Sequence, residues 1–249
     1  MDRKLGWLPD LPDQRDYVYK VSRDPKVTIT IPKRVNLSKY FPNIMDQGDI
    51  GSCVAQATIA SLEYLEKRER GEAIRLSPMM AYYSARAVRG WEGEDSGCYI
   101  RDCVKILHKL GVCREPTWSY TKPYSMKPSQ KAYEEATDYQ ILEYRRVKPA
   151  WVPIRQALAA GHPVIFGLSM YESAFTEETE RRGTIPYPKK KDRMVGGHAM
   201  IFVGYTPGWL LFRNSWGEGW GRKGYGFLAP SMTRSRFIGD CWIVSKREM

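Results

Sequence analysis

Residues 46–57 read DQGDIGSCVAQA, and the change of character at Cys53 decides how the chain folds. Gly48 and Gly51 punctuate a turn just before it. Residues 50–62 (IGSCVAQATIASL) then carry no charge, and a burst of charge follows at 63–71 (EYLEKRERG), ending on Gly71. That pattern predicts a helix over about 53–69, stopped by Gly71, with its first half buried and its last turns wet. Cys53 would open this buried helix, where unsatisfied backbone N–H groups carry partial positive charge and favour a thiolate. A free cysteine is equally at home as a small core residue. This stretch alone leaves both readings open.

The bulk properties exclude little. The chain has 249 residues, enough for one sizeable domain or two intimate lobes, with 39 Lys and Arg against 28 Asp and Glu and a net charge of +11. Such a charge permits nucleic acid, anionic membranes or acidic partners without choosing among them. The basic clusters at 145–148 and 189–193 read as solvated surface. No apolar run approaches the ~20 residues of a membrane span, and the N-terminus lacks the apolar core of a secretory signal. Five cysteines (53, 98, 103, 113 and 241) are too few and too irregular for a disulfide scaffold. A reducing compartment, the cytoplasm, is therefore expected, with secretion or virion association left open.

Residues 1–30 read as an N-terminal extension, and 31–249 as the domain proper: a helical lobe at about 44–145 and a strand-rich lobe at about 146–249. Further helices are expected near 77–88, with Ser77 as N-cap and Pro78 in the first turn, at 99–110, and at 153–160. Residues 112–130 read as loop. Strands are expected at PVIFGLSM, HAMIFVGY, WLLFRNSW, GYGFLA and CWIVSK. Helices followed by strands give an α+β protein whose lobes flank a cleft. Cys98, Cys103, His108 and Cys113 recur every five residues, but each such step turns about 140° around a helix, so they splay rather than converge on a metal. No metal and no cofactor are expected.

A thiolate is best partnered by a group that can also shuttle a proton, and only three histidines are present. His108 falls on the polar side of its helix and His162 in a turn before a strand. His198 opens the strand HAMIFVGY after Gly196 and Gly197. If residues 206–208 form the hairpin loop to WLLFRNSW, His198 faces Trp216 and Asn214 becomes its diagonal neighbour on the same face. An amide oxygen there can accept the ring N–H and fix the tautomer. A one-residue change in the loop would flip that parity.

The segments QGDIGSCVA, GGHAMIFVGY and RNSWGEGWGRKGYGFL closely resemble three blocks of the papain-like cysteine peptidases, in the family's order. Gln47 lies six residues before Cys53 and Asn214 sixteen after His198, as the family's spacing requires. The similarity runs from about Ile31 to the C-terminus. It implies a two-lobed fold with a helical left lobe, a β-barrel-like right lobe and the active-site cleft between them. It further implies an endopeptidase in which a Cys53 thiolate and a His198 imidazolium form the reactive pair. Asn214 would orient His198, Trp216 would cover their hydrogen bond, and the Gln47 amide with the Cys53 N–H would form the oxyanion hole.

Gly97 would pair with an extended polypeptide substrate. Tyr99 and Ile100, with Gly167 and Ala199 opposite, would surround the side chain two positions before the cleaved bond, where an apolar preference is expected. Ile50, Val54 and Gly197 depart from the family's usual cysteine, aromatic and polar residues. The extension is too short for the family's helical pro-domain. LPDLPDQRDY (8–17) would either lie along the cleft as a short pro-segment or pack as a permanent part of the domain, and the latter is favoured. A monomer with no membrane or nucleic-acid partner is expected. The alternatives are a catalytically silent scaffold for an anionic partner, and a transpeptidase or isopeptidase using the same site.

Overall fold

The structure, a computed structural model, describes residues 3–20, 31–233 and 236–249. Residues 1–2 and 21–30 of the expected extension lie outside the described residues. Along the chain run β1 (Trp7–Leu8), β2 (Val35–Asn36), α1 (Cys53–Arg70), α2 (Pro78–Ala87), β3 (Cys98–Tyr99), α3 (Ile100–Lys109), α4 (Gln130–Ala136) and β4 (Glu143–Arg146). There follow α5 (Trp151–Ala159), β5 (Val164–Tyr171), α6 (Glu177–Arg182), β6 (Met194–Thr206), β7 (Trp209–Arg213), β8 (Tyr225–Leu228) and β9 (Ile238–Ser245).

The helix that begins at Cys53 stops at Gly71, which takes the left-handed conformation at φ 77° and donates its N–H to the Lys67 carbonyl. Its burial runs further than expected, from Cys53 through Glu66. Charge misled here, because the two glutamates are paired and not exposed. Glu63 accepts from the Leu76 N–H at 3.0 Å and meets Arg75 at 3.6 Å. Glu66 is held by Lys246 and by Arg70. The Ser77 side chain caps α2 by accepting from the Met80 N–H. The short elements α4, β4 and α6 carry too little periodicity to have been expected.

The main sheet is seven-stranded and antiparallel, in the order β4-β9-β5-β6-β7-β8, with β2 also paired to β6. It stays open. Among the described residues β4 and β8 do not pair with each other, so the expected barrel-like lobe is a curved sheet without closure. Alternation along the strands divides the cores. Ile165, Ala199, Ile201 and Val203 pack with α1–α3, whereas Phe166, Met200 and Phe202 fill a second core beneath the sheet.

The β6–β7 hairpin reaches the expected register by an unexpected route. Its turn is the two residues Pro207 and Gly208, with Thr206 paired to Trp209 inside the ladder. A shorter turn alone would have flipped the parity. Val203 is one extra residue on β6, a bulge that restores the pairing of Ile201 with Arg213 and keeps Asn214 on the His198 side. Gly208 sits at φ 88° with open space around its Cα, so only backbone strain opposes a side chain there. Gly208→Ala is expected to lower stability by about 1–2 kcal/mol, seen as a lower urea midpoint at unchanged slope. An unchanged midpoint would show that this turn does not need glycine.

Candidate active site

Cys53 and His198 arrive from the two lobes, one at the start of α1 and the other within β6, and both are fully buried. The Ala199 N–H, one residue beyond the histidine, donates to Cys53 Sγ at 3.4 Å. On the far side of the imidazole, Nε2 lies 2.8 Å from Asn214 Oδ1. That oxygen also accepts from the Ser215 N–H, which fixes it as the acceptor. The proton of a neutral His198 therefore sits on Nε2. Nδ1 keeps its lone pair and has no hydrogen-bond partner among the described residues. Trp216 lies over the ring at 4.5 Å between centroids and 26° between planes, shielding the His198–Asn214 bond from water.

Gln47 is placed by its neighbours. Its backbone N–H donates to the Ser215 carbonyl, and Ser215 Oγ donates to its Oε1 at 2.6 Å, leaving Nε2 to face the cleft. Tyr120 Oη donates to the Gln47 carbonyl at 2.9 Å and shares a 2.6 Å hydrogen bond with Ser52. Ser215 and Tyr120 were not singled out from sequence; only the position of Ser215 inside the NSWG run could have flagged it.

The cleft between the lobes is filled by the chain's own N-terminal segment. Gln47 Nε2 donates to the Lys4 carbonyl at 3.1 Å as well as to that of Ile50. The Gly6 carbonyl accepts from the Cys98 N–H, and β1 pairs with β3 in parallel, Trp7 beside Cys98 and Leu8 beside Tyr99. A Cβ on Gly6 would lie 1.8 Å from the Gly51 oxygen, and one on Gly97 would lie 2.3 Å from the Gly6 oxygen, so backbone meets backbone here. Trp7 fills a slot walled by Gly167, Gly197 and Gly239. Arg3 stacks over Trp216 at 5.1 Å, and Lys4 pairs with Asp95 at 2.7 Å. Further along, Asp10 and Asp16 are tied to Arg101, Arg146 and Trp242.

The residues expected around a substrate are distributed accordingly. Gly97 touches the Gly6 backbone, Gly167 touches Trp7, Ala199 touches Cys53 and Trp216 touches His198. Tyr99 pairs with Leu8 and stands beside Trp91 and Arg89, while Ile100 opens α3 within the helical core. Gly197, where the family more often carries a polar residue, leaves room for Trp7. A Cβ there would come within 2.4 Å of the Trp7 carbonyl oxygen.

With the segment in place, burial opposes the expected ion pair. Burial pushes the Cys53 thiol up to about 11, against the opposing pull of N–H groups from Ala199 and Gly6. Burial likewise takes His198 down to about 4, against the favourable Asn214 hydrogen bond. The helix N-terminus does favour a thiolate, but its contribution is at most about 2 kcal/mol. Full desolvation shifts a pKa by up to ~3–5 units and wins. In this closed form burial favours a neutral thiol and a neutral imidazole.

Residues 31–246 match the family described as papain family cysteine protease. An uncharacterized peptidase C1-like protein of Acanthamoeba polyphaga mimivirus is 30% identical, over 99% of this chain and 88% of its own length. The crystal structure of xylellain, a cysteine protease from Xylella fastidiosa, is similar at a TM-score of 0.90 and 33% identity, covering 100% of this chain and 99% of that one. Cathepsin K of Gallus gallus is 27% identical over 81% of this chain, which spans 59% of that protein's length.

A thiol raised to about 11 is anionic in roughly one molecule in 10⁴ at neutral pH. Alkylation of Cys53 by iodoacetamide in the intact chain is expected to rise about tenfold per pH unit between pH 7 and 10, without levelling off near neutrality. A plateau below pH 7 would mean that the closed form already holds a thiolate.

Proposed function

The chain belongs to the papain family of cysteine proteases, and on that footing we propose that it hydrolyses peptide bonds through Cys53, His198, Asn214 and Gln47. The supporting observation is the chain of contacts from Cys53 Sγ through the Ala199 N–H and His198 to Asn214 Oδ1. His198 Nδ1 takes the thiol proton as the sulfur attacks the substrate carbonyl, and Asn214 keeps the resulting imidazolium aligned. Gln47 Nε2 and the Cys53 N–H receive the oxyanion. The imidazolium then protonates the leaving amine, and the same nitrogen activates the water that releases the acid.

The substrate is an extended polypeptide laid along Gly97, and the enzyme works as a cytoplasmic monomer with no membrane or nucleic-acid partner. Among the described residues no helix is long and apolar enough to cross a membrane. A silent scaffold would not need a tautomer set for proton abstraction, and among the described residues no contact favours a transpeptidase or isopeptidase.

Residues 3–8 act as a built-in inhibitor. In a substrate, the residue in the Trp7 slot would precede the carbonyl held by Gln47. In the segment, Trp7 comes three residues after Lys4, whose carbonyl Gln47 holds. The segment therefore runs backwards and offers no bond in the order that acylation requires. Its docking also takes up a proton. Burial, then the facing Asp240, raises Asp10 to about 6. Docking is thus tightest below the free aspartate value near 4 and weakens as pH rises through about 6.

An epoxide or fluoromethylketone thiol-protease inhibitor, mapped by mass spectrometry, is expected to modify Cys53 stoichiometrically and to fail in His198→Ala. Trp7→Ala removes a buried indole worth about 3–5 kcal/mol and is expected to speed labelling at pH 7 by at least about a hundredfold. Equal labelling of Trp7→Ala and the parent chain would remove the inhibitory role. Absence of any Cys53 adduct in both would remove the peptidase reading. Intact mass before and after activation tells cleavage of the segment from mere displacement.

A further inference from the structure

The slot that holds Trp7 has a polar floor that the family resemblance does not supply. Asp240 Oδ2 accepts from the indole Nε1 at 3.1 Å. The carboxylate reaches the slot because of a local defect in the sheet. In the β5–β9 ladder, Ile165 pairs with Trp242 and Gly167 with Gly239, so Asp240 and Cys241 together oppose the single residue Phe166. Asp240 takes the left-handed conformation at φ 49°, unusual for a residue with a side chain. Bulges of this kind re-aim side chains beside active sites, and the strain is retained where neighbours hold it. Arg146 does so, with its Nη2 2.5 Å from Asp240 Oδ1.

The walls are equally specific. The three atoms nearest a Cβ on Gly167 all belong to the indole, the first at 1.9 Å, and a Cβ on Gly197 would come within 2.7 Å of its Cε3. Three glycines thus make a flat slot, and a carboxylate closes its end.

We propose that Asp240 is a specificity-determining residue that makes this subsite select a large, flat side chain carrying a hydrogen-bond donor, tryptophan above all. This rests on the peptidase reading, in which the slot receives the substrate side chain two positions before the cleaved bond. When residues 3–10 leave, Asp240 Oδ2 loses both of its donors from the segment, the Trp7 indole and the Asp10 N–H. A substrate indole restores one of them, whereas phenylalanine and leucine leave the buried acceptor short. An arginine would also reach the carboxylate, but that charge is already met by Arg146, whose guanidinium would repel a second one.

The test is a set of peptides identical except for Trp, Tyr, Phe, Leu or Arg at that position, cleaved by the full-length chain. Docking of residues 3–8 lowers every rate by the same factor, so ratios report the subsite even while the enzyme is partly latent. The expected kcat/KM is about tenfold or more higher for Trp than for Phe, with Arg below both. Asp240→Gly, which suits the φ, is expected to bring the Trp:Phe ratio near one. Gly167→Ala, whose backbone needs no glycine, should cut the Trp:Leu ratio at least about tenfold, and it decides the matter if Asp240→Gly does not fold.

A ratio near one in the parent chain, a preference for Arg, or a Trp preference that survives both variants overturns the assignment while leaving the peptidase intact. Failure to cleave any peptide, with no inhibitor adduct on Cys53, overturns the peptidase reading and this assignment with it.

Discussion

The hydrogen bond from His198 Nε2 to Asn214 Oδ1, covered by Trp216, is the contact on which the site depends. It fixes which ring nitrogen carries the proton, and therefore which nitrogen is free to take one. Asn214 can hold that position because Ser215 donates its backbone N–H to the same oxygen while its hydroxyl turns the Gln47 amide toward the cleft. One short run, Asn214-Ser215-Trp216, thus sets the base and the oxyanion donor together and keeps water off the bond between them. Loss of alignment at Asn214 would propagate to Gln47 through two hydrogen bonds.

The same two reactive groups change character with solvation alone. The main opposition to an ion pair between Cys53 and His198 is the cost of holding two charges in a buried site, with a smaller contribution from the nearby Arg3 charge. Residues 3–8 impose that cost by sealing the cleft, leaving a thiol near 11 and an imidazole near 4. Opening the cleft would readmit water, lower the cost, and let the helix N-terminus and the imidazole act as the sequence leads one to expect. Inhibition by the segment is therefore both steric and electrostatic. It fills the subsite, and the burial it imposes favours the protonated nucleophile.

Local signals in the sequence account for much of this. The apolar onset at Cys53, the Gly71 stop and the Ser77 cap are readable because each depends on neighbours within one helical turn. Gln47, Cys53, His198 and Asn214 stand in recognisable motifs, and the structure brings the contacts of all four into one cleft. What escaped reading is non-local. The burial of Glu63 and Glu66 depends on Arg75 and on Lys246 from the far end of the chain. The hairpin parity held only because the Val203 bulge offset a turn one residue shorter than expected. Asp240 became part of a subsite through a bulge on β9, which no side-chain alternation in CWIVSK announces.

The glycines connect these observations. Gly197 reads as a departure from the family and Gly167 as one wall of a substrate pocket, while nothing in the sequence singles out Gly239, yet all three border the same indole. Gly6 and Gly97 likewise permit the segment's backbone to lie against the cleft floor at distances no Cβ would allow. Glycine in a strand interior sacrifices packing and chain entropy, so its repetition around one side chain needs a gain elsewhere. The gain is a slot shaped for an aromatic plane, matched to a segment that carries such a plane on glycine-flanked backbone. The N-terminal stretch and the cleft are in this sense one binding pair on a single chain, and the residues that hold the enzyme closed describe the substrate side chain that would fit it open.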